Sequence, residues 1–502
     1  LIREQMFAAL LGAGFYSDAF VVAFRIPNLL RDLLAEGALS TAFVPTFTAT
    51  LVQEGREQAF RLGNLVLTSL LVVTAAIALV GMLWAPTLVQ IIAPGFADTA
   101  GKPELTALLT RILFPFLPLI ALAAVLMGML NAQQRFFLPA LAPALFNAAA
   151  IVVGATLLLL GVQNQTAVVA WTSAVLLGGL LQFAIQVPAL RRSGWRYRPQ
   201  FRLRFDDPGL RRILRLMAPA VIGLSATQLN ILVNNILASE LEQGSPSWIN
   251  YAFRLMQLPI GVFGVAVATV NLASVSRSAA AGDMDEFRDT LSSSLRLVAF
   301  LTIPSTIGLV ALREPIIGLL YEHGRFTAYD TLRTSDVLLA YALGLYAYAA
   351  VKVLAPAFYA LQATRVPLLA SFSAVACNIT ANLLLYRTLG APGLALGTSI
   401  GAVVNVSLLY GNFVRRWGSL HESQLLRHLA RVLLAAGIMG VVSHLSWRWL
   451  LQRLGNESLV ADLVVTLVPV GIGVVTFAVL ARLLAIPEIE VVVRRLRRRR
   501  IR

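Results

Sequence analysis

Apolar runs of about 20 residues, broken by short polar loops, recur along the whole 502-residue chain. A run of that length spans bilayer hydrocarbon as an α-helix, because a helix pairs its own backbone groups where no water can. The runs fall at residues 15–48, 62–86, 106–130, 138–161, 166–190, 212–239, 247–275, 290–320, 336–361, 366–386, 391–414, 426–450 and 459–485. Residues 1–12 read as the second half of one more. The pattern predicts an all-α polytopic membrane protein of about 14 transmembrane helices. The chain opens LIREQ inside the first of these, so its first helix is expected to begin upstream.

An internal repeat organises the runs. AFRIPNLLRDLLAEGALSTAFVPTFTATLVQEGREQAFR lies beside AFRLMQLPIGVFGVAVATVNLASVSRSAAAGDMDEFR. This alignment pairs Arg25 with Arg254 and Phe60 with Phe287, while LNAQQRFFLP beside ALQATRVP pairs Arg135 with Arg365. Three separate stretches share nearly one offset, which apolarity alone would not produce. The period holds six spans, and an even number returns the chain to its starting side. The halves are therefore expected to be parallel repeats enclosing a central site reached by alternating access. The predicted organisation is an N-lobe at 1–190, a basic linker at 191–211, a C-lobe at 212–415, and two extra helices with a basic tail at 416–502.

Composition agrees with the pattern, since 58% of residues are hydrophobic and 13% charged, against about 25% charged in soluble domains. The net charge of +16 is carried almost wholly by Arg, in short loops between apolar runs. That is the signature of the positive-inside rule and not of nucleic-acid binding. The segment RRSGWRYRPQFRLRFDDPGLRRILR sets the orientation as cytoplasmic. Alternation then puts QEGREQAFR, NAQQR, SRSAAAGDMDEFR, QATR, RRWGSLHESQLLRHLAR and the tail RRLRRRRIR on the same side, with both chain ends inside. Beside the last span, the tail reads as an electrostatic anchor on anionic membrane lipid. One cysteine, Cys377, allows no disulfide within the chain, and the four scattered histidines form no metal pattern.

The polar residues inside the second run carry the candidate chemistry. Ionisable groups at membrane depth cost roughly 2.5–3.5 kcal/mol each, so they persist where they pair or face a polar cavity. Arg25, Asn28, Asp32 and Glu36 share one helical stripe, with Asp18 before it and Arg31 beside it. Two readings stay open. One is an internal salt-bridge lattice of Arg25 or Arg31 with Asp32 or Glu36. The other is an anion site, to which Arg3 and Arg254 add guanidinium groups. A cluster of guanidiniums suits a phosphate or diphosphate, whose oxygens match the bidentate fork. Glu4 beside Arg3 reads as its counter-ion. A weaker polar set, Asn230, Asn234, Asn378, Asn382 and Thr398 with Ser399, offers oxygens to a monovalent cation or hydrogen bonds between helices. No zinc-protease, nucleotide-loop or Ser–His–Asp pattern is present, so a transporter is expected and not an enzyme.

GAGFYSDAFVVAFRIPNLLRDLLAEGALSTAFVP resembles the signature of the MurJ (MviN) family of bacterial lipid II flippases. APGF, YAFRLMQLPIGVFGVAVAT, EHGRFTAYD and KVLAPAFYALQ resemble further family segments. The resemblance implies the fold of the multidrug/oligosaccharidyl-lipid/polysaccharide exporter superfamily. It also implies translocation of the undecaprenyl-diphosphate-linked peptidoglycan precursor across the plasma (inner) membrane without a cofactor, and leaves open whether Na⁺, H⁺, the membrane potential or none of these drives it. The partners implied are lipid II, membrane lipids and cell-wall synthesis proteins. Required family arginines match Arg3, Arg31 and Arg254, and family polar positions match Asp18, Asn28 and Glu36. The two extra helices resemble those that hold the lipid tail. Where the family can place an acid before the eighth-helix Arg, this chain has Phe253. Flippases for other polyprenyl-linked glycans and cation-coupled exporters of the superfamily are the alternatives. A cavity rich in Arg argues against cation export.

Overall fold

The structure is a computed structural model, and it describes residues 1–33, 39–200, 207–455 and 458–490. All regular elements among these residues are helical, as the apolar runs predict. The first eleven are α1 (Ile2–Leu11), α2 (Phe15–Arg31), α3 (Ser40–Gln53), α4 (Arg56–Leu83), α5 (Ala85–Ile92), α6 (Lys102–Leu113), α7 (Phe116–Ala132), α8 (Phe137–Leu159), α9 (Asn164–Ala184), α10 (Gln186–Arg192) and α11 (Pro208–Ser239). There follow α12 (Ser245–Pro259), α13 (Val265–Ala281), α14 (Met284–Ala311), α15 (Arg313–Tyr321), α16 (Ala328–Ala342), α17 (Leu345–Ala360), α18 (Arg365–Leu389), α19 (Ala391–Trp417), α20 (Glu422–Leu454) and α21 (Leu459–Leu483).

Among the described residues, ten stretches are long and apolar enough to cross a membrane, or up to twelve if two bent pairs each make one span. One bend, of 53°, follows Pro219 in α11, where the ring removes an N–H and crowds the preceding turn. The other, of 40°, separates α16 from α17. The first two expected spans take a different form. The first is represented by α1, of 10 residues. Within the run at 15–48 the structure describes α2, of 17 residues, and α3, with residues 34–38 between them outside the described residues.

The repeat is visible in the order of elements. The 28-residue α4 is followed by the short α5, and the 28-residue α14 by the short α15. After each come four helices in the same sequence, α6 to α9 and α16 to α19. Phe60 and Phe287, paired by sequence, lie near the starts of α4 and α14.

Two compact units are present. Unit 1 holds Leu1–Ser247 with Gly324–Phe326, and unit 2 holds Trp248–His323 and the chain from Thr327 on. In unit 1, Phe43 and Phe47 of α3 pack with Leu65 and Val66 of α4, Met129 of α7, and Trp195. In unit 2, Phe287, Leu354, Phe358 and Phe413 form the corresponding core. The extra helices join unit 2 through α14, where Phe300 meets Phe477 and packs with Val432 and Ile486.

The insertion of Gly324–Phe326 into unit 1 depends on backbone approach. The Arg325 amide donates to the Ala9 carbonyl at 3.0 Å, and the Arg325 guanidinium donates to Asn164 Oδ1 at 2.8 Å. Gly324 has φ +62°, and a Cβ there would stand 2.3 Å from the Ala9 oxygen. Only glycine fits a left-handed φ with backbone so close. Gly324→Ala is expected to destabilise the protein by about 1–3 kcal/mol. Thermal unfolding in detergent micelles checks this, and an unchanged midpoint would refute it.

Candidate functional site

Helix α2 runs on through Pro27 and carries four of the expected polar residues. Their surroundings differ sharply. Asp18 is fully buried in the first turn of α2. Its Oδ2 accepts from Lys102 Nζ at 3.0 Å and from the Gly244 amide at 2.8 Å. Its Oδ1 accepts from the Ser247 hydroxyl at 2.6 Å and the Ser247 amide at 3.2 Å. Lys102, the first residue of α6, is 3% exposed and also lies 4.2 Å over the Phe96 ring. The carboxylate is thus neutralised and hydrogen-bonded on both oxygens, which is the condition for a charge to stay buried. Through it α2 holds the start of α6 and the first turn of α12.

At the other end of α2 the polar groups are only partly covered. Arg31 donates to Asp32 Oδ1 from Nη2 at 2.9 Å and from Nε at 3.2 Å. Asn28 Nδ2 and Gln228 Nε2 of α11 both donate to Asp32 Oδ2 at 3.5 Å. Arg31 and Asp32 side chains remain 22% and 29% exposed, whereas the Asp18 side chain is sealed. Helical spacing placed Arg31 off the stripe, yet its long side chain reaches the neighbouring Asp32. The side-chain carbonyls of Asn28 and Gln228 are buried and have no hydrogen-bond partner among the described residues. Chemically, the two buried carbonyls are acceptors for hydroxyl or amide donors, and the neighbouring guanidinium is a donor for anionic oxygens.

Arg3 pairs with Glu4, and its guanidinium carbon lies 5.5 Å from the centre of the Phe146 ring. This is the counter-ion arrangement the sequence suggested for Glu4. Arg25 is half-buried on α2, and Arg254 is half-buried on α12 in unit 2. Phe253, beside Arg254, packs its ring 5.6 Å from Tyr341. Glu36 lies outside the described residues.

The weaker polar set divides between the units. Asn230 and Asn234 belong to unit 1, and Asn378, Asn382, Thr398 and Ser399 to unit 2. In unit 2 these groups bond to protein. Asn382 donates to Asn378 at 2.9 Å, Thr398 to the Leu394 carbonyl at 2.9 Å, and Ser399 to the Ala340 carbonyl at 2.7 Å. No group of three or more His, Cys, Asp or Glu able to hold a metal ion occurs among the described residues.

Sequence reasoning did not single out Lys102, Ser247 or Gln228. A signal existed for Lys102. It is one of two lysines in a chain whose other fixed cations are arginines, and it opens an apolar run. Ser247 and Gln228 carry no such mark, because polar residues of their kind are common in helical membrane proteins.

A family model described as "Lipid II flippase MurJ" matches residues 7–482. The chain is 37% identical over 472 residues to a probable lipid II flippase MurJ of Rhizobium meliloti, covering 93% of this chain and 87% of that protein. It is 35% identical over 448 residues to the lipid II flippase MurJ of Burkholderia cenocepacia, covering 88% and 86%. Among solved structures, a lipid II flippase MurJ in an inward closed conformation superposes with a TM-score of 0.79 at 26% identity, covering 96% of each chain. An inward-facing multidrug transporter of the MATE family gives a TM-score of 0.67 at 15% identity, which speaks for the fold alone. With the family model matched from α1 to α21, the chain belongs to the MurJ lipid II flippase family.

Proposed function

We propose that this chain carries lipid II from the cytoplasmic to the outer leaflet of the bacterial plasma membrane, with Arg3, Arg25, Arg31 and Arg254 engaging the diphosphate. The observation that carries the reading is the partly covered group of Arg31, Asp32, Asn28 and Gln228, contributed by α2, its C-cap and α11. A lipid-linked diphosphate sugar offers anionic oxygens to the guanidiniums, and its hydroxyls and amides are donors for the two buried carbonyls. Asp18 serves as an anchor for the surrounding helices, since its oxygens are already occupied. The Arg-rich loops face the cytoplasm. In that orientation an inside-negative potential favours outward movement of the anionic head group, by about 2.3 kcal/mol per charge at 100 mV.

The test is expression in bacteria depleted of their own lipid II flippase, with labelling of lipid II in the outer leaflet. Growth and outer-leaflet lipid II are both expected to return. Failure of both in cells that carry the inserted protein would point instead to another polyprenyl-linked glycan.

A further inference from the structure

Beside the polar end of α2 lies a recess of the opposite character. Its volume is about 480 Å³, and it is walled by α2, α4, α5, α11 and Phe114, all within unit 1. Apart from the Trp84 indole N–H, none of its lining side chains carries a polar atom. Leu29 and Leu30 come from α2, Ile77 and Gly81 from α4, and Leu232 from α11. A Cβ at Gly81 would stand 2.0 Å from the Phe114 ring, so only glycine lets that ring lie against the α4 backbone. The rim is exposed at Val80 and Trp84, on a helix long and apolar enough to span a membrane and the turn that follows it. In a bilayer the recess therefore opens to hydrocarbon.

The recess and the polar group of Arg31 and Asp32 share two helices. On α11, Gln228 donates to Asp32, and Leu232, four residues on, lines the recess. Four residues of helix rise about 6 Å. On α2, Arg31 and Asp32 follow directly on Leu29 and Leu30. A guanidinium that suits anionic oxygens thus adjoins a cavity almost free of polar groups. That juxtaposition selects among membrane molecules. In a glycerophospholipid, ester groups stand between phosphate and hydrocarbon, and the recess has only the Trp84 N–H to offer them. In a polyprenyl diphosphate, the first isoprene is bonded directly to a phosphate oxygen. Inside a membrane the chain gains nothing by leaving water, so such a seat works through close packing and through holding the phosphates beside Arg31.

We propose that the recess seats the isoprenes nearest the phosphates of a polyprenyl diphosphate while Arg31 engages the diphosphate. The inference rests on the transport reading above and adds to it a seat for the start of the lipid chain on unit 1. The rest of the chain leaves past Val80 and Trp84 into the bilayer.

The test is photocrosslinking of the full chain in nanodiscs of phosphatidylethanolamine and phosphatidylglycerol. The probe is geranylgeranyl diphosphate with a diazirine on its second isoprene, and labelled residues are located by peptide mass spectrometry. Label is expected on residues 26–30 and 76–84. It is expected to be displaced by undecaprenyl diphosphate and to persist when the share of phosphatidylglycerol is raised. Ala76→Phe puts a ring into the recess from its exposed rim, and is expected to cut the label by about tenfold or more, as an added group does in a shaped apolar pocket. Val152→Phe, on an exposed face of α8, is expected to leave the label unchanged. The wild-type labelling and its competition decide the proposal even if Ala76→Phe fails to fold. Displaceable label confined to other helices overturns the inference and leaves the transport reading standing. The absence of any label that undecaprenyl diphosphate displaces overturns both. Displacement by phosphatidylglycerol as readily as by undecaprenyl diphosphate makes the recess an ordinary lipid seat and overturns the inference, as does full labelling of a folded Ala76→Phe.

Discussion

Replacement of Lys102 by methionine is expected to destabilise the protein by about 3–5 kcal/mol, the cost of leaving a buried carboxylate without its cation. Methionine keeps the length and the apolar stem but cannot neutralise Asp18. The Gly244 amide and the Ser247 amide and hydroxyl would remain as donors, yet none carries charge. Both partners are almost wholly buried, so water cannot substitute. The loss is expected to appear as a lower unfolding temperature in detergent micelles and a lower inserted yield. The double variant D18N/K102M removes the orphaned charge and is expected to be more stable than K102M alone. That order of stabilities separates a charge effect from a packing effect. If K102M unfolds with wild type, or if the double variant is the weaker of the two, the pair is not what holds these helices.

Most of the fold was legible because it rests on one strong signal. Spans of about 20 apolar residues leave little choice of structure in a bilayer. The repeat was legible because Arg25 with Arg254, Phe60 with Phe287, and Arg135 with Arg365 share nearly one offset. The stretch at 15–48 was harder. Its length promised a single span, and the structure describes the 17-residue α2 and the 14-residue α3 within it, on either side of residues that lie outside the described ones. Hydropathy reports that a stretch is apolar, not where a helix ends within it. That limit also hid α10 at the end of a longer run.

The site was legible in part. Residue type pointed to α2, since six ionisable or amide side chains in one apolar stretch demand an explanation. It did not separate their roles. Asp18 and Asp32 look alike in sequence, yet one is sealed by Lys102 and Ser247 and the other is partly open beside Arg31. The difference comes from residues far along the chain, Lys102, Ser247 and Gln228, which helical spacing within α2 cannot foresee. The same holds for Trp195. It reads as one aromatic in an arginine-rich loop, and only its packing with Leu62 and its bond to Asn64 reveal that the loop is part of a core.

Arg254→Ala is expected to abolish lipid II transport while leaving a folded, inserted protein. The argument starts from position. Arg254 is half-buried on α12, a helix whose first turn is already held by the Asp18 carboxylate, so the substitution leaves that anchor intact. It removes a guanidinium from a membrane-spanning stretch, Ser245–Ala281, that has only one other basic residue, Arg277. Truncating one partner of a desolvated charge pair costs roughly 2–5 kcal/mol, or about thirtyfold or more in affinity for a diphosphate. Arg254→Lys separates charge from geometry. Lysine keeps the charge but donates as a point, without the planar fork that matches two phosphate oxygens. Arg254→Lys is therefore expected to give partial rescue of a flippase-depleted strain and Arg254→Ala none, at equal membrane levels. Outer-leaflet lipid II should follow the same order, with wild type highest. Full rescue by Arg254→Ala would remove Arg254 from the diphosphate-binding set and leave the task to Arg3, Arg25 and Arg31.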